Sequence, residues 1–480
     1  MRISEYFELG RNQPELDFVD VDIFGDTKLF IDPRAFCSYS TLFTQECRSL
    51  VESFFRQVLA ALSEGDEETG LALLGYLKEP NETHLGLSKE RAQGRAVGNG
   101  LAEKIWESLS KSKAASSGLV KDLEDTALLI PGIGRDIVSD ITTNIIRKPL
   151  IEYTQRMCQL YGIPLCGNID SGCMWNSILR QWESFYTELP RVNGRKLLLV
   201  PKIIVRRTLT YDVGEYYEYA IVEFLRDEEL QKVKSPLVHM VKGSPHVTKK
   251  DIRSTYGSGK SVAIDKTLEH PDLLDKYRDE KDRVLSPTLS HDTFAKVMGD
   301  EDPNLVPLFE ELEATEPGRY DAGKYEKAIQ DLLTALFHGS LANPMSQTKL
   351  HEGRKRVDIT FDNVATESTD FFTWVSQHFP APKIYIECKN YSDDLKNPEI
   401  DQLSGRFSPS RGKVGILVCR DISDKALLEQ RCKDTAKDDR GFIIFLDHND
   451  LRELLEEYNE SKTCASLGGL LKRRFDALIL

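Results

Sequence analysis

The sequence predicts an α/β core at the C-terminal end, a mixed sheet flanked by helices, preceded by a larger α+β region. Two observations carry that expectation. Runs dense in β-branched and apolar residues recur at 357–361, 384–390, 414–419 and 442–446, while polar segments of helical character lie between the last three, at 398–407 and 424–437. Such alternation reads as βαβ units on a partly parallel sheet. Upstream, Tyr325, Ala328, Ile329, Leu332, Leu333 and Leu336 recur at helical spacing and predict a helix that opens this part of the chain.

Each remaining element follows from local pattern. A chain of 480 residues is too long for one core. It divides most naturally at 286–316, a polar, acidic stretch carrying Pro287, Pro303 and Pro307, which reads as a linker between an N-terminal region, 1–285, and a C-terminal domain, 317–480. In the N-terminal region, 16–24 and 28–32 are strand-like and joined by Gly25-Asp26-Thr27 as a hairpin would be. Helices are expected at about 45–63, 66–78 and 98–113, and strands at 196–200 and 217–224. In the C-terminal part, 28 residues separate Asp358 from Glu387, more than a hairpin needs, and their aromatic run at 371–379 fits a short packed helix.

The chemistry concentrates on two of the strand-like runs. Alternation along a strand puts Glu387 and Lys389 on one face and Ile384, Ile386 and Cys388 on the other, and puts Asp358 and Thr360 opposite Val357, Ile359 and Phe361. Two acids and a lysine can therefore converge beside a packed sheet, as metal-assisted phosphodiester cleavage requires. Asp362 is a rival ligand on the face of Asp358. The same Glu-x-Lys pair on a half-exposed strand would otherwise be solvated charge.

Through Asp358, the Glu387-Cys388-Lys389-Asn390 stretch and the helix-strand order that follows, residues 317–480 resemble the PD-(D/E)xK nuclease superfamily, and within it the Mrr-type restriction endonucleases. The resemblance implies a restriction-endonuclease-like fold and a Mg²⁺-dependent endonuclease, with Mn²⁺ able to substitute. Asp358, Glu387 and the backbone carbonyl of Cys388 would hold the metal. Lys389 would position or help deprotonate the attacking water and offset transition-state charge. Glu326 matches an additional helical acid, able to hold a second metal or a metal-bound water. Gln402 matches a helical glutamine of some relatives, although Arg406 stands where those relatives carry tyrosine. The implied substrate is DNA, double-stranded for want of an aromatic platform for unpaired bases, and the implied setting is restriction or antiphage defence. Cutting both strands implies a homo-oligomer, and a sensing N-terminal region leaves room for a regulatory partner protein. The competing readings are an RNase or DNA-repair nuclease using the same residues, and a catalytically silent binding module.

Composition limits the alternatives. Hydrophobic content of 40% and charged content of 29% describe a soluble globular protein. No run approaches the roughly 20 apolar residues of a membrane span, and Met1-Arg2-Ile3-Ser4-Glu5 lacks a signal-peptide core, so a cytoplasmic location is expected. Nine cysteines without paired spacing suit a reducing compartment. A net charge of −14 argues against indiscriminate coating of nucleic acid. Local basic clusters remain: seven lysines and arginines in 231–260, among them Lys249, Lys250 and Arg253, against one acid, and Lys349, His351, Arg354, Lys355 and Arg356 just before Asp358. Either could hold a phosphate backbone; the first could equally be a solvated loop.

Three further motifs read as structure more readily than as sites. The Ile130-Pro131-Gly132-Ile133-Gly134 turn between two helical stretches resembles a helix-hairpin-helix element, whose backbone amides bind a DNA phosphate; it could also be an ordinary turn between packed helices. The Gly257-Ser258-Gly259-Lys260-Ser261 run ends like a P-loop, but Ser254 occupies the first glycine position and no apolar strand precedes it. Asp17, Asp20, Asp22 and Asp32 invite a second metal site, but Asp20 and Asp22 alternate with Val19, Val21 and Ile23 and so read as the wet face of a strand.

Overall fold

The computed structural model describes residues 1–86, 98–284, 287–350, 355–390 and 397–479. Buried hydrophobics form two large cores, one drawing on residues between Ile3 and Phe294 with Ala342 and Val364 added, the other on residues between Leu305 and Leu478.

The first core is mainly helical. Its longest helix, Leu42–Glu64, starts where Thr41 accepts the Thr44 amide and stops at Gly65 in the left-handed region, and between them Phe43, Cys47, Leu50, Val51, Phe54, Phe55 and Val58 form the buried stripe. Two strand expectations fail. Residues 16–24 and 28–32 form no hairpin: Phe30–Ile31 pairs instead with Val205–Arg206, and Phe18 and Asp22 make only isolated bridges, to Pro201 and Arg2. Residues 217–224 are helical, a π-turn at Tyr217–Ile221 running into Val222–Gln231. Asp212 caps the preceding turn through the Glu215 amide, and Tyr216, Tyr217, Ile221, Val222 and Leu225 are all buried, at helical spacing rather than alternation. At 196–200 only Arg195–Lys196 is strand, paired with Arg191–Val192; Leu197 to Val200 are buried, and Leu198 and Leu199 donate to the Glu82 carbonyl and the Thr154 hydroxyl.

The second core is built on a five-stranded mixed sheet flanked by helices. Its strands are β1 (Leu341–Leu350), β2 (Lys355–Asn363), β3 (Lys383–Lys389), β4 (Val414–Cys419) and β5 (Phe442–Leu446), in sequential order across the sheet. The β1–β2 and β2–β3 pairs are antiparallel, and β3–β4 and β4–β5 are parallel. The helices are α1 (Val306–Ala314), α2 (Ala322–Leu336), α3 (Phe371–His378), α4 (Asn397–Ser404), α5 (Lys425–Lys437), α6 (His448–Ser461) and α7 (Leu470–Ile479). Helix α2 packs on β1 to β3, whereas α4 and α5 form the crossovers between the parallel strands. The aromatic insert after β2 is helix α3, capped by Asp370, which accepts the Phe372 amide at 2.6 Å and the Ser340 hydroxyl at 2.5 Å.

Strand β1 had no counterpart in the sequence expectations. Asn343 and Pro344 interrupt its pattern, and the structure accommodates them with a register shift between Ala342 and Met345 on an edge strand, where a missing amide is tolerated. The 286–316 stretch is helical over His291–Met298 and Val306–Ala314.

The two cores touch through buried polar contacts. Arg11 forks onto Asp331 of α2 at 3.0 and 2.7 Å, and the Asn343 amide of β1 donates to Asp17 at 3.0 Å. His291 stacks on His338 with centroids 4.2 Å apart, and each ring bonds a carbonyl, of Ala335 and Leu289 respectively.

Candidate active site

Strand β3 is the centre of the sheet, and Ile384 to Cys388 are all buried. Its register with β2 pairs Ile359 with Ile386 and Thr360 with Tyr385. One step further along the same register, Asp358 lies opposite Glu387, so the two carboxylates share a face. Asp358 Oδ2 accepts the Cys388 amide at 2.9 Å, which fixes the aspartate against β3. Glu387, only 3% exposed, accepts from Lys389 Nζ at 2.9 Å through Oε1. These three residues are brought together.

Burial, and then the Asp358 charge, push the Glu387 carboxyl above its ordinary range, against the pull of Lys389 and Arg406. Burial by itself would lower Lys389, but the Glu387 carboxylate, followed by Asp358 and Glu399, outweighs it, and Lys389 holds its proton more firmly than a free lysine.

Asp362 has other work. Lys383 pairs with one of its oxygens and Asn343 Nδ2 donates to the other at 2.8 Å, so the rival ligand is engaged at the far end of β2. Asn390 is a structural clamp: its side chain donates to the Glu316 and Gly318 carbonyls and accepts from Arg420, holding the entry to α2 against the end of β3.

Glu326 stands on α2, and its charge bears on Cys388, whose thiol burial pushes far up, with Asp358, Glu326 and Glu387 adding to the effect. Gln402 is exposed on α4, one turn from Glu399 and one from Arg406. It makes no hydrogen bond to the other site residues among those described.

Arg406 and Glu399 are the residues that sequence reasoning did not assign. Arg406 lies just past α4, 9% exposed, with Nη1 3.3 Å from Glu387 Oε2. The local sequence puts it there. Arg440 holds the end of α4 by donating to Ser404 and Asp401, and the Phe407 ring settles over Gly415 and Gly441, where an added Cβ would meet the ring. The signal was the helical spacing 399, 402, 406 facing a Glu-x-Lys strand. Glu399 contributes by raising Lys389.

Mg²⁺ is held by one or two carboxylates and several waters. Asp358 and Glu387 fit that description, and Glu387 Oε2 has no hydrogen-bond partner among the described residues although it is buried. Among the described residues no cluster of three or more histidine, cysteine, aspartate or glutamate side chains is arranged around a common ion.

The basic clusters fare differently. Residues 239–256 are structured, a hairpin of His239–Val241 with Ser244–His246 followed by helix Lys249–Tyr256. Lys249 pairs with Glu223 at 2.7 Å and Arg253 with Glu218 at 2.6 Å, so acids of the neighbouring helical segment neutralise much of a patch that looks strongly basic in sequence; Lys250 is exposed. Lys355 and Arg356 begin β2. Their side chains and that of Lys349, together with His351 and Arg354, lie outside the described residues.

The two tempting glycine motifs meet each other. Lys260 Nζ donates to the carbonyls of Thr126, Ala127 and Ile133 at 3.2, 2.7 and 2.7 Å, which ties the P-loop-like run to the turn between helices Asp125–Leu129 and Arg135–Ile145. Burial lowers that lysine to about 8. Its ammonium is committed to the fold. Of the two acids expected on the wet face of a strand, Asp22 is exposed but Asp20 is buried, 2% exposed; Asp32 is fully buried.

Among the described residues no helix is long and apolar enough to cross a membrane. Residues 8–212 match the family model described as Domain of unknown function (DUF8370), which ends well before the sheet that carries Asp358 and Glu387. No curated protein and no solved structure matches the chain.

Proposed function

We propose that the chain is a Mg²⁺-dependent endonuclease of the PD-(D/E)xK type that cleaves DNA, with the C-terminal sheet as a restriction-endonuclease-like catalytic core and the N-terminal region selecting substrate or sensing a trigger. The observation that carries the reading is the cross-strand apposition of Asp358 and Glu387, with Lys389 on the same face and bonded to Glu387.

Asp358 and Glu387 would hold the ion, with the Cys388 carbonyl beside them. Bound there, Mg²⁺ supplies a Lewis acid for a phosphoryl oxygen and lowers the pKa of a water. Lys389, kept protonated by Glu387, orients the attacking water and offsets the charge that grows on the phosphoryl oxygens. The amide of Cys388 keeps Asp358 in place throughout. Tyr385 and Phe407 pack on one another at 5.7 Å and serve the fold rather than base stacking. A role in restriction or antiphage defence rests on the resemblance alone.

The test is incubation of purified protein with plasmid, linear duplex, single-stranded DNA and RNA in Mg²⁺, Mn²⁺ or EDTA, beside Lys389→Ala. Metal-dependent cutting that falls by about 10²–10³-fold in the variant is the expected result. Cutting that Lys389→Ala leaves intact would sink the mechanism, and RNA cut in preference to duplex would reassign the substrate.

A further inference from the structure

Glu387 and Arg406 meet in a buried space with their hydrogen bonding incomplete. Their closest approach is 3.3 Å between Nη1 and Oε2, an ion pair without hydrogen-bond geometry. Glu387 Oε2, Arg406 Nε and Arg406 Nη1 are each buried with no hydrogen-bond partner among the described residues. Arg406 as a whole is 9% exposed. Buried polar groups are almost always bonded, and a ligand or ion is one explanation of an exception.

Two unused donors and one unused acceptor on neighbouring side chains call for the complementary set: an anionic oxygen for the guanidinium and a cation for the carboxylate. A phosphodiester accompanied by a divalent cation supplies both. The planar guanidinium suits phosphate oxygens better than any other side chain, because its donors are fixed in one fork. Its backbone is firmly seated, with the amide donating to the Leu403 carbonyl at 3.0 Å and α4 held by Arg440.

We propose that Arg406 is a phosphate-binding residue of this site, resting on Glu387 until a divalent cation takes that carboxylate and then turning to a non-bridging oxygen of the scissile phosphodiester. The proposal rests on the nuclease reading above and deepens it. Arg406 and the cation compete for Glu387, so cation and phosphate must bind cooperatively: each removes the obstacle to the other.

The experiment uses the full-length protein, with Arg406→Gln and Arg406→Lys each made alone and in the Lys389→Ala background, where duplex is held but not cut. Mn²⁺ affinity is measured by calorimetry without nucleic acid. Duplex affinity is measured by fluorescence anisotropy with Mg²⁺ or EDTA across a salt series, and thermal melts report folding. Arg406→Gln is expected to weaken Mg²⁺-dependent duplex binding about tenfold and to reduce the salt slope by about one, while leaving Mn²⁺ affinity equal or higher. Arg406→Lys keeps the charge but not the fork and should restore duplex binding only in part, even if the glutamine variant fails to fold.

Unchanged duplex affinity and salt slope in either variant would overturn the proposal, as would a fall in Mn²⁺ affinity that merely follows a lower melting temperature. A wild-type protein that binds neither Mn²⁺ nor duplex overturns the nuclease reading itself, and the proposal with it.

Discussion

Asp20 and Glu387 are buried to nearly the same depth, 2% and 3% exposed, yet their surroundings differ in kind. Asp20 accepts the Ser4 amide at 2.9 Å on one oxygen and the Ser4 hydroxyl at 2.6 Å on the other. Its neighbours follow the same rule. Asp17 takes the Asn343 amide and the Tyr153 hydroxyl, and Asp32 takes the Arg34 amide and both donors of Thr210. Every oxygen of these three is bonded, mostly by neutral donors. Around Glu387 the partners are charged, and an acceptor and two donors remain unbonded. A buried carboxylate complete in its hydrogen bonds is part of the architecture. One left incomplete beside two cations is arranged for something that has yet to arrive.

The comparison breaks most decisively at the sheet. Glu387→Ala and Asp358→Ala should each abolish divalent-cation binding and cleavage, whereas Lys389→Ala should keep the cation and lose the cut; calorimetry beside a cleavage assay separates the two. A chain that still bound Mn²⁺ without Glu387 would show that the incomplete carboxylate is not the ligand.

Next in size is the contact between the cores. Arg11 and Asp331 are 8% and 5% exposed and bonded by two hydrogen bonds. Arg11→Ala strands a buried carboxylate and should cost about 3–5 kcal/mol in denaturant unfolding. Because Asp331 is on α2 with Glu326, a loss of cutting that exceeds the loss of folded protein would show that the N-terminal region reaches the site through this helix.

Asp20→Ala leaves the Ser4 amide and hydroxyl unpartnered and should cost about 1–3 kcal/mol with no change in cation affinity. A change in cation affinity would mean that the N-terminal acids are more than architecture.

A pH-dependent effect, acid sensitivity, belongs to the core-core junction. Burial lowers His291 from 6.5 to about 3, and Lys202 adds to the shift. Its folded pKa lies below its unfolded one, so as pH falls from about 6.5 toward about 3 the unfolded chain takes up a proton that the folded chain refuses, and stability declines across that window. The slope is at most about 1.4 kcal/mol per pH unit for this group. His291→Gln should flatten the acid limb of a stability profile measured by denaturant melts. An unchanged limb would place the acid sensitivity elsewhere, with His338 the first group to substitute.

Parity was enough to put Glu387 with Lys389 on one face of its strand and Asp358 with Thr360 on one face of another, because side-chain direction in a strand is a local property with a period of two. The helical stripe of α2 and the crossover helices were legible for the equivalent reason. Composition alone failed at 217–224, where β-branched and aromatic residues suggest a strand; there burial of Tyr216, Tyr217, Ile221, Val222 and Leu225 against the core selects a helix. It failed again at β1, whose Asn343 and Pro344 are tolerated only because the strand lies at an edge and carries a bulge.

By itself, then, the sequence determined the alternation of strands and helices across 357–446, the shared face of the Glu-x-Lys pair and the parity that Asp358 and Asp362 share on the preceding strand-run. Those follow from backbone periodicity and need no neighbours. Only the tertiary structure decided that Asp358 rather than Asp362 sits opposite Glu387, that Arg406 closes on that glutamate, that Lys260 is bound to a helical turn and that Lys249 and Arg253 are paired with acids. Each of those turns on which residues distant in sequence come within about 3 Å of one another, and charge and hydrogen bonding act at that distance whatever the separation along the chain.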